Sequence, residues 1–142
     1  MNKLTQYGHP FQTKALSALL TDKDFLQQSA DIISPDYFDS DASKWIIRKT
    51  LKYYNEYNTT PTMELFKVEL ESVKNEVQGV AIKEQLKETY KSSKAKDLNY
   101  IKDTFLDFCR NQTLKSALIR SVDLLELGDY DDIRNLIDKA LK

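Results

Sequence analysis

The sequence is short of side chains that do covalent chemistry. Its 142 residues contain one histidine, His9, in Tyr7-Gly8-His9-Pro10, and one cysteine, Cys109. A Cys–His nucleophile needs the imidazole within hydrogen-bond reach of the thiol. Cys109 instead lies beside Phe105 and Phe108 on an apolar stripe, which reads as a buried, inert thiol. His9 reads as an exposed polar residue in a mobile N-terminus. Gly8, Gly79 and Gly128 stand alone, so a phosphate cradle of the Gly-x-x-x-x-Gly-Lys-Ser/Thr type is absent. Glu69, Glu71, Glu84 and Glu88 alternate with lysines, the pattern of solvated i,i+4 pairs rather than of an acid–base couple. No catalytic, cofactor-binding or metal-ligating residue is therefore expected. The one basic cluster is Lys87, Lys91, Lys94 and Lys96. It is either a solubilising loop or a weak contact for nucleic-acid backbone or an acidic protein patch.

Composition points the same way. A chain of this length fits one domain and buries enough surface to fold without metal or disulfide. Hydrophobic residues are 41% and charged residues 30%, ordinary for a soluble globular protein. Only three Gly and three Pro occur, which disfavours a turn-rich sandwich or barrel and favours long helices. A lone cysteine excludes an intrachain disulfide and fits a reducing compartment. The start, Met1-Asn2-Lys3-Leu4-Thr5-Gln6, has no signal-peptide stretch, and no run approaches the roughly 20 apolar residues of a membrane span. A cytoplasmic location with no membrane partner is expected. With 21 basic and 22 acidic residues the formal net charge is −1, unlike a domain whose main task is gripping phosphates.

The expected elements are all helices. A first spans Phe11 to Leu20, with Phe11, Ala15, Ala18 and Leu19 on one stripe. A second spans Asp24 to Ile33, stopped by Ser34-Pro35. Ser40 or Asp41 caps a third, Ala42 to Tyr57, which carries Trp45, Tyr53, Tyr54 and Tyr57. These aromatics read as core plus rim, and an exposed subset would mark a partner site. Thr60-Pro61 reads as a cap followed by proline at the first helical position. The fourth helix carries Leu65, Phe66, Val68, Leu70 and Val73, and a fifth runs from Val80 to Tyr90. Lys91 to Lys96 is a polar loop and the best hinge. A long helix, Leu98 to Leu127, closes on Gly128 as its left-handed residue. Asp129 caps a last helix, Tyr130 to Leu141.

The fold class is thus all-α: a flexible N-terminus at 1–9, a helical head at 10–96 and a helical hairpin at 97–142. The long arm is near 45 Å at about 1.5 Å per residue. The final helix reaches only its second half, so the first half must pack on the head or on another chain. Candidate interface residues are Phe105, Phe108, Leu114, Leu118, Ile119, Val122, Ile133, Leu136 and Ile137.

The order of features resembles the N-terminal domain of DnaB-type replicative DNA helicases, particularly those of large tailed phages. The likeness rests on Ala15-Leu16-Ser17-Ala18-Leu19-Leu20-Thr21-Asp22, on Asp36-Tyr37-Phe38-Asp39 leading into Trp45-Ile46-Ile47, and on Tyr57-Asn58-Thr59-Thr60-Pro61-Thr62. It continues through Tyr100-Ile101, Arg110-Asn111-Gln112-Thr113-Leu114 and Gly128-Asp129-Tyr130. It covers Pro10 to Lys142, and each stretch is a pattern of hydrophobics and turns rather than a diagnostic motif. The resemblance implies a collar domain whose hairpins pair, three dimers sitting above a hexameric motor ring, with primase or a helicase loader as docking partner. It also implies that ATP and Mg belong to a motor beyond Lys142, that the host is bacterial, and that this domain touches DNA weakly. A helicase-binding domain of a primase has a similar fold but would sit at a C-terminus. A small helical DNA-binding protein would need a helix strongly basic on one face, which is missing.

Overall fold

The starts of five helical segments are set by a side chain one residue outside each. Asp22, Ser34, Ser40, Thr62 and Asn75 each accept a hydrogen bond from a backbone amide two or three residues on, satisfying donors that the first turn leaves unpaired. The structure, a computed structural model, describes residues 3–142. Seven α-helices follow: α1 Gly8–Thr21, α2 Lys23–Ser29, α3 Asp41–Tyr57, α4 Met63–Leu70, α5 Glu76–Lys91, α6 Leu98–Glu126 and α7 Tyr130–Ala140. No strand occurs among the described residues, and the chain is all-α as its composition implies.

Several boundaries differ from the expected ones for local reasons. Residues 4–7 form a 3-10 turn with Leu4 fully buried, and α1 already begins at Gly8. Of the stretch 1–9 expected as a flexible lead-in, residues 1–2 lie outside the described residues and residues 4–9 belong to this turn and the start of α1. Helix α2 ends at Ser29, not Ile33; the Ile32 and Ile33 amides both donate to the Ser29 carbonyl, at 3.0 and 2.9 Å, in a turn that follows the helix. Thr62, not Thr60, caps α4, its hydroxyl accepting from the Leu65 amide at 3.2 Å. Pro61 thus precedes the cap, and Val73 lies beyond the helix end at Leu70. Asn58 closes α3 in the left-handed region, φ 59°, a conformation asparagine tolerates well.

The chain divides into two compact units, Met1–Lys102 and Asp103–Lys142. The division falls inside α6 rather than at the polar loop expected as a hinge. That loop is held: residues 92–94 form a 3-10 turn against α1, and Lys14 bonds Asp97 at 3.0 Å.

In the first unit α1 is central, packing on α2, α3 and α5. It is buried nearly all round, Phe11 to Leu20 with only Lys14 half-exposed, as a helix surrounded by others must be. Its buried polar groups are satisfied except one, the Ser17 Oγ, which has no hydrogen-bond partner among the described residues. Gln12 donates to Asp39 at 2.8 Å and accepts from the Asp39 amide at 3.0 Å, and Gln85 of α5 donates to Thr13 at 3.3 Å. Phe38, Ile46, Ile47, Phe66 and Ile82 complete a core with almost no solvent access. Trp45 sits 6.4 Å from Phe66, centroid to centroid, with Lys49 over its ring at 5.5 Å.

In the second unit α6 ends in a Schellman turn. Gly128, at φ 70°, donates to Leu125 and Asp129 donates to Leu124, capping two carbonyls the helix leaves open. Asp129 occupies the cap position of α7, but its side chain caps no amide. The neighbouring Asp132, through hydrogen bonding and its charge, and Asp131 raise the Asp129 pKa.

Candidate functional site

The reactive side chains do not assemble. Cys109 has no solvent access, and burial pushes its thiol up to about 12, so the nucleophilic thiolate is scarcely populated at neutral pH. His9 belongs to α1, not to a mobile tail, and its imidazole meets Glu88 of α5 at 3.0 Å. Among the described residues no three His, Cys, Asp or Glu side chains converge as a metal-binding group. Two surfaces remain, one in each unit.

The first lies on the second unit. On α6 the positions 114, 117, 121 and 124 share one face. Ala117 is buried and Leu114, Ser121 and Leu124 are half-buried. Positions 118, 122 and 125 lie about 90° further round the same helix at about 100° per residue. Leu118, Val122 and Leu125 there are 54%, 56% and 56% exposed, with Ile119 beyond them at 62%. The apolar arc is wider than the face that is covered. On α7, Ile133, Leu136, Ile137 and Ala140 are half-buried, while Tyr130 and Leu141 at the ends are exposed.

The sequence left the first half of α6 to pack within the chain or on another one; Phe105 and Phe108 there are buried within the single chain and are not free to meet a partner. The C-terminal half of α6 is the one that stays open: its apolar arc is broad, and α7, with 11 residues, offers one apolar face. Leu118, Ile119 and Val122 are the available residues, and Leu114, Ile133, Leu136 and Ile137 are half-available.

The second surface was only half legible. Lys87 and Lys91 of the expected basic cluster rim a groove between α4 and α5, whereas Lys94 and Lys96 lie exposed in the following loop. The groove has a volume of ≈ 700 Å³. Its floor and walls are Met63, Phe66, Leu70, Leu86 and Tyr90, and Lys67 and Lys83 join Lys87 and Lys91 on its rim. Phe66 and Leu86 are buried beneath, Leu70 and Tyr90 are half-buried, and Met63 is 44% exposed. Desolvation in this wall raises the Tyr90 pKa. No carboxylate lines the groove. Lys67 has an i,i+3 contact with Glu64 at 3.6 Å, and among the described residues Lys83, Lys87 and Lys91 form no ion pair. The signal that would have found this site is the i, i+4, i+8 spacing of Lys83, Lys87 and Lys91 alongside Leu86 and Tyr90, which places lysines and apolar groups on adjoining strips of α5.

No protein-family model, curated protein or solved structure matches this chain. The assignment of these surfaces therefore rests on their own chemistry. Of the tyrosines that follow Trp45, Tyr57 is 62% exposed with its ring tilted against Tyr53 at 4.7 Å, and Tyr53 and Tyr54 are half-buried.

Proposed function

We propose that this chain is a non-catalytic association domain that pairs with a second copy through the open face of α6 and α7. In this reading it acts in the collar of a DnaB-type replicative DNA helicase, where primase or a loader docks. The observation that carries the pairing is the row Leu118, Val122 and Leu125 with Ile119 beside it, each more than half exposed. Contiguous apolar surface of this kind marks interaction sites. Completing the burial of a half-exposed Leu or Val gains about 1 kcal/mol. Eight such side chains, four from each copy, fall in the range of the roughly 4–15 kcal/mol that association costs in lost freedom. A symmetric pair uses the same patch twice, so no new surface has to be supplied.

The helicase assignment is supported by the order of helices that carries the resemblance, with a long penultimate helix, a glycine turn and a short last helix. In that assembly ATP and Mg are bound by a separate motor, and the exposed Lys87, Lys91, Lys94 and Lys96 give this domain at most a weak, salt-sensitive hold on DNA. The lysine row of α5 is confined to one short strip and the formal net charge is −1, a balance that disfavours a dedicated DNA-binding protein.

Sedimentation equilibrium over a concentration series tests the pairing. The wild-type chain is expected to dimerise, and Leu118→Asp or Val122→Asp to weaken the dimer by at least about 100-fold, since a buried unpaired carboxylate costs several kcal/mol. Both variants are expected to keep their helical circular dichroism, because both positions are exposed. A wild-type chain that stays monomeric at high micromolar concentration would falsify this surface as a self-sufficient dimer contact.

A further inference from the structure

We propose that the groove between α4 and α5 docks an amphipathic helix of another protein, one that carries a row of carboxylates beside its apolar face. The site is in the first unit and is independent of the pairing surface on the second.

The groove is built from one face of each of two helices. Met63, Phe66 and Leu70 recur at i, i+3 and i+7 along α4, and Leu86 and Tyr90 at i, i+4 along α5. The spacing is that of the anchors by which a helix lies in an apolar groove. Met63 at the open edge suits such a contact, since an unbranched thioether adapts to the shape of what it meets. The rim supplies the polarity. Lys83, Lys87 and Lys91 repeat every four residues along α5, about 6 Å apart over about 12 Å of helix. Like charges at this spacing destabilise a helix by a few tenths of a kcal/mol per pair. Among the described residues none of the three forms an ion pair, although Glu84 and Glu88 lie on the same helix. An incoming helix with Glu or Asp at successive i+4 positions has the same 6 Å repeat and neutralises all three.

Other occupants match less of the site. A fatty acid has one carboxylate and engages one lysine, leaving the row unexplained. A nucleic-acid strand offers phosphates but needs exposed rings for stacking, and of the two aromatics in the groove Phe66 is fully buried. The α7 helix of a second copy is acidic, but Asp131, Asp132 and Asp138 do not recur at i+4.

Fluorescence anisotropy on the full chain decides the matter. The probe is a fluorescein-labelled peptide of about 16 residues, long enough to hold a helix, with leucines at i, i+3 and i+7 and glutamates along one flank. A second peptide has lysine in place of each glutamate. The Glu peptide is expected to bind at least about tenfold more tightly than the Lys peptide, with an affinity that falls as salt rises. The triple variant Lys83→Glu, Lys87→Glu, Lys91→Glu is expected to reverse that preference. Met63→Asp is expected to weaken the Glu peptide while leaving the thermal midpoint unchanged. All four positions are exposed, and circular dichroism confirms that each variant is folded. The proposal fails if neither peptide binds, if the two bind equally, or if labelled dodecanoate or oligothymidylate binds and the Glu peptide does not. Sedimentation of the triple variant separates the two proposals, since a changed groove with unchanged self-association leaves the pairing surface standing.

Discussion

In the unit Met1–Lys102 the helices that pack on α1 turn an apolar face to it, with Tyr57 on α3 and Val77 and Val80 on α5 left exposed, and the buried polar side chains other than Ser17 find partners within the same unit. In Asp103–Lys142 the apolar residues divide along the chain. Phe105, Leu106, Phe108 and Cys109 are buried, Ala117 is the last hydrophobic residue that is, and Leu118, Ile119, Val122 and Leu125 are open. The two regions have the same kind of sequence, amphipathic helix after amphipathic helix, and differ in how many neighbours each helix has. A central helix such as α1 tolerates an apolar surface all round because others surround it. A pair of helices covers only the faces turned toward each other, and the remaining arc stays wet until something else arrives. The same amphipathic pattern thus becomes core in one unit and surface in the other.

The largest expected difference between the units is energetic. Phe66→Ala removes a fully buried ring and is expected to lower stability by about 3–5 kcal/mol. Leu125→Ala, at a position 56% exposed, is expected to change it by less than about 0.5 kcal/mol. Urea unfolding of dilute, monomeric protein measures both. Comparable losses at the two sites would break the comparison, because Leu125 would then be part of a core.

Electrostatics gives the next effect. Asp22 caps α2 through the Phe25 amide at 3.1 Å and bonds Lys102 at 2.6 Å. Asp22→Ala is expected to cost about 1–2 kcal/mol, and Asp22→Asn less, since it keeps a capping oxygen. The hydrogen bond from Lys102 holds the Asp22 carboxyl below the ordinary 3.8, and hydrogen bonds from Thr5 and Gln12 do the same for Asp39. A depressed folded-state pKa stabilises above the unfolded value and ceases to do so as pH falls through the folded one. Asp129 in the second unit is shifted upward by Asp132, so its contribution has the opposite sign, present below 3.8 and lost as pH rises. Acidification from about pH 5 toward pH 2 is therefore expected to loosen the first unit around Asp22 and Asp39 while relieving repulsion at the start of α7. Amide exchange resolved by residue would show it, and uniform loosening of both units would contradict it.

The smallest effect is local. Gly128 has φ 70° with open space around its Cα hydrogens, so Gly128→Ala meets no clash and costs only the backbone strain of a left-handed alanine, about 1 kcal/mol. Faster exchange is expected at residues 124–129 and not in the first unit. A spread into the first unit would show that the two open together.

Much of this protein is local and was readable from residue types. Scarce Gly and Pro with repeated 3.6-residue periodicity gave the all-α class, and Ser40 and Gly128 are the cap and the stop that their chemistry suits them for. The start of α4 was a short-range competition between near-equal alternatives, Thr62 against Thr60 for a cap. Such choices differ by about 1 kcal/mol and turn on the final geometry. His9 is exposed as its type implies, and its contact with Glu88, 79 residues away in the sequence, was not legible there. The lysine groove was half seen for the same reason: Lys87 and Lys91 are neighbours on α5, but Lys67 and Met63 reach them only when α4 folds alongside. Periodicity along a helix reports which face is apolar, since every fourth side chain points the same way. Whether that face is covered depends on what lies opposite, and only the tertiary structure decided that Phe105 and Phe108 are core and that Leu118, Ile119, Val122 and Leu125 are not.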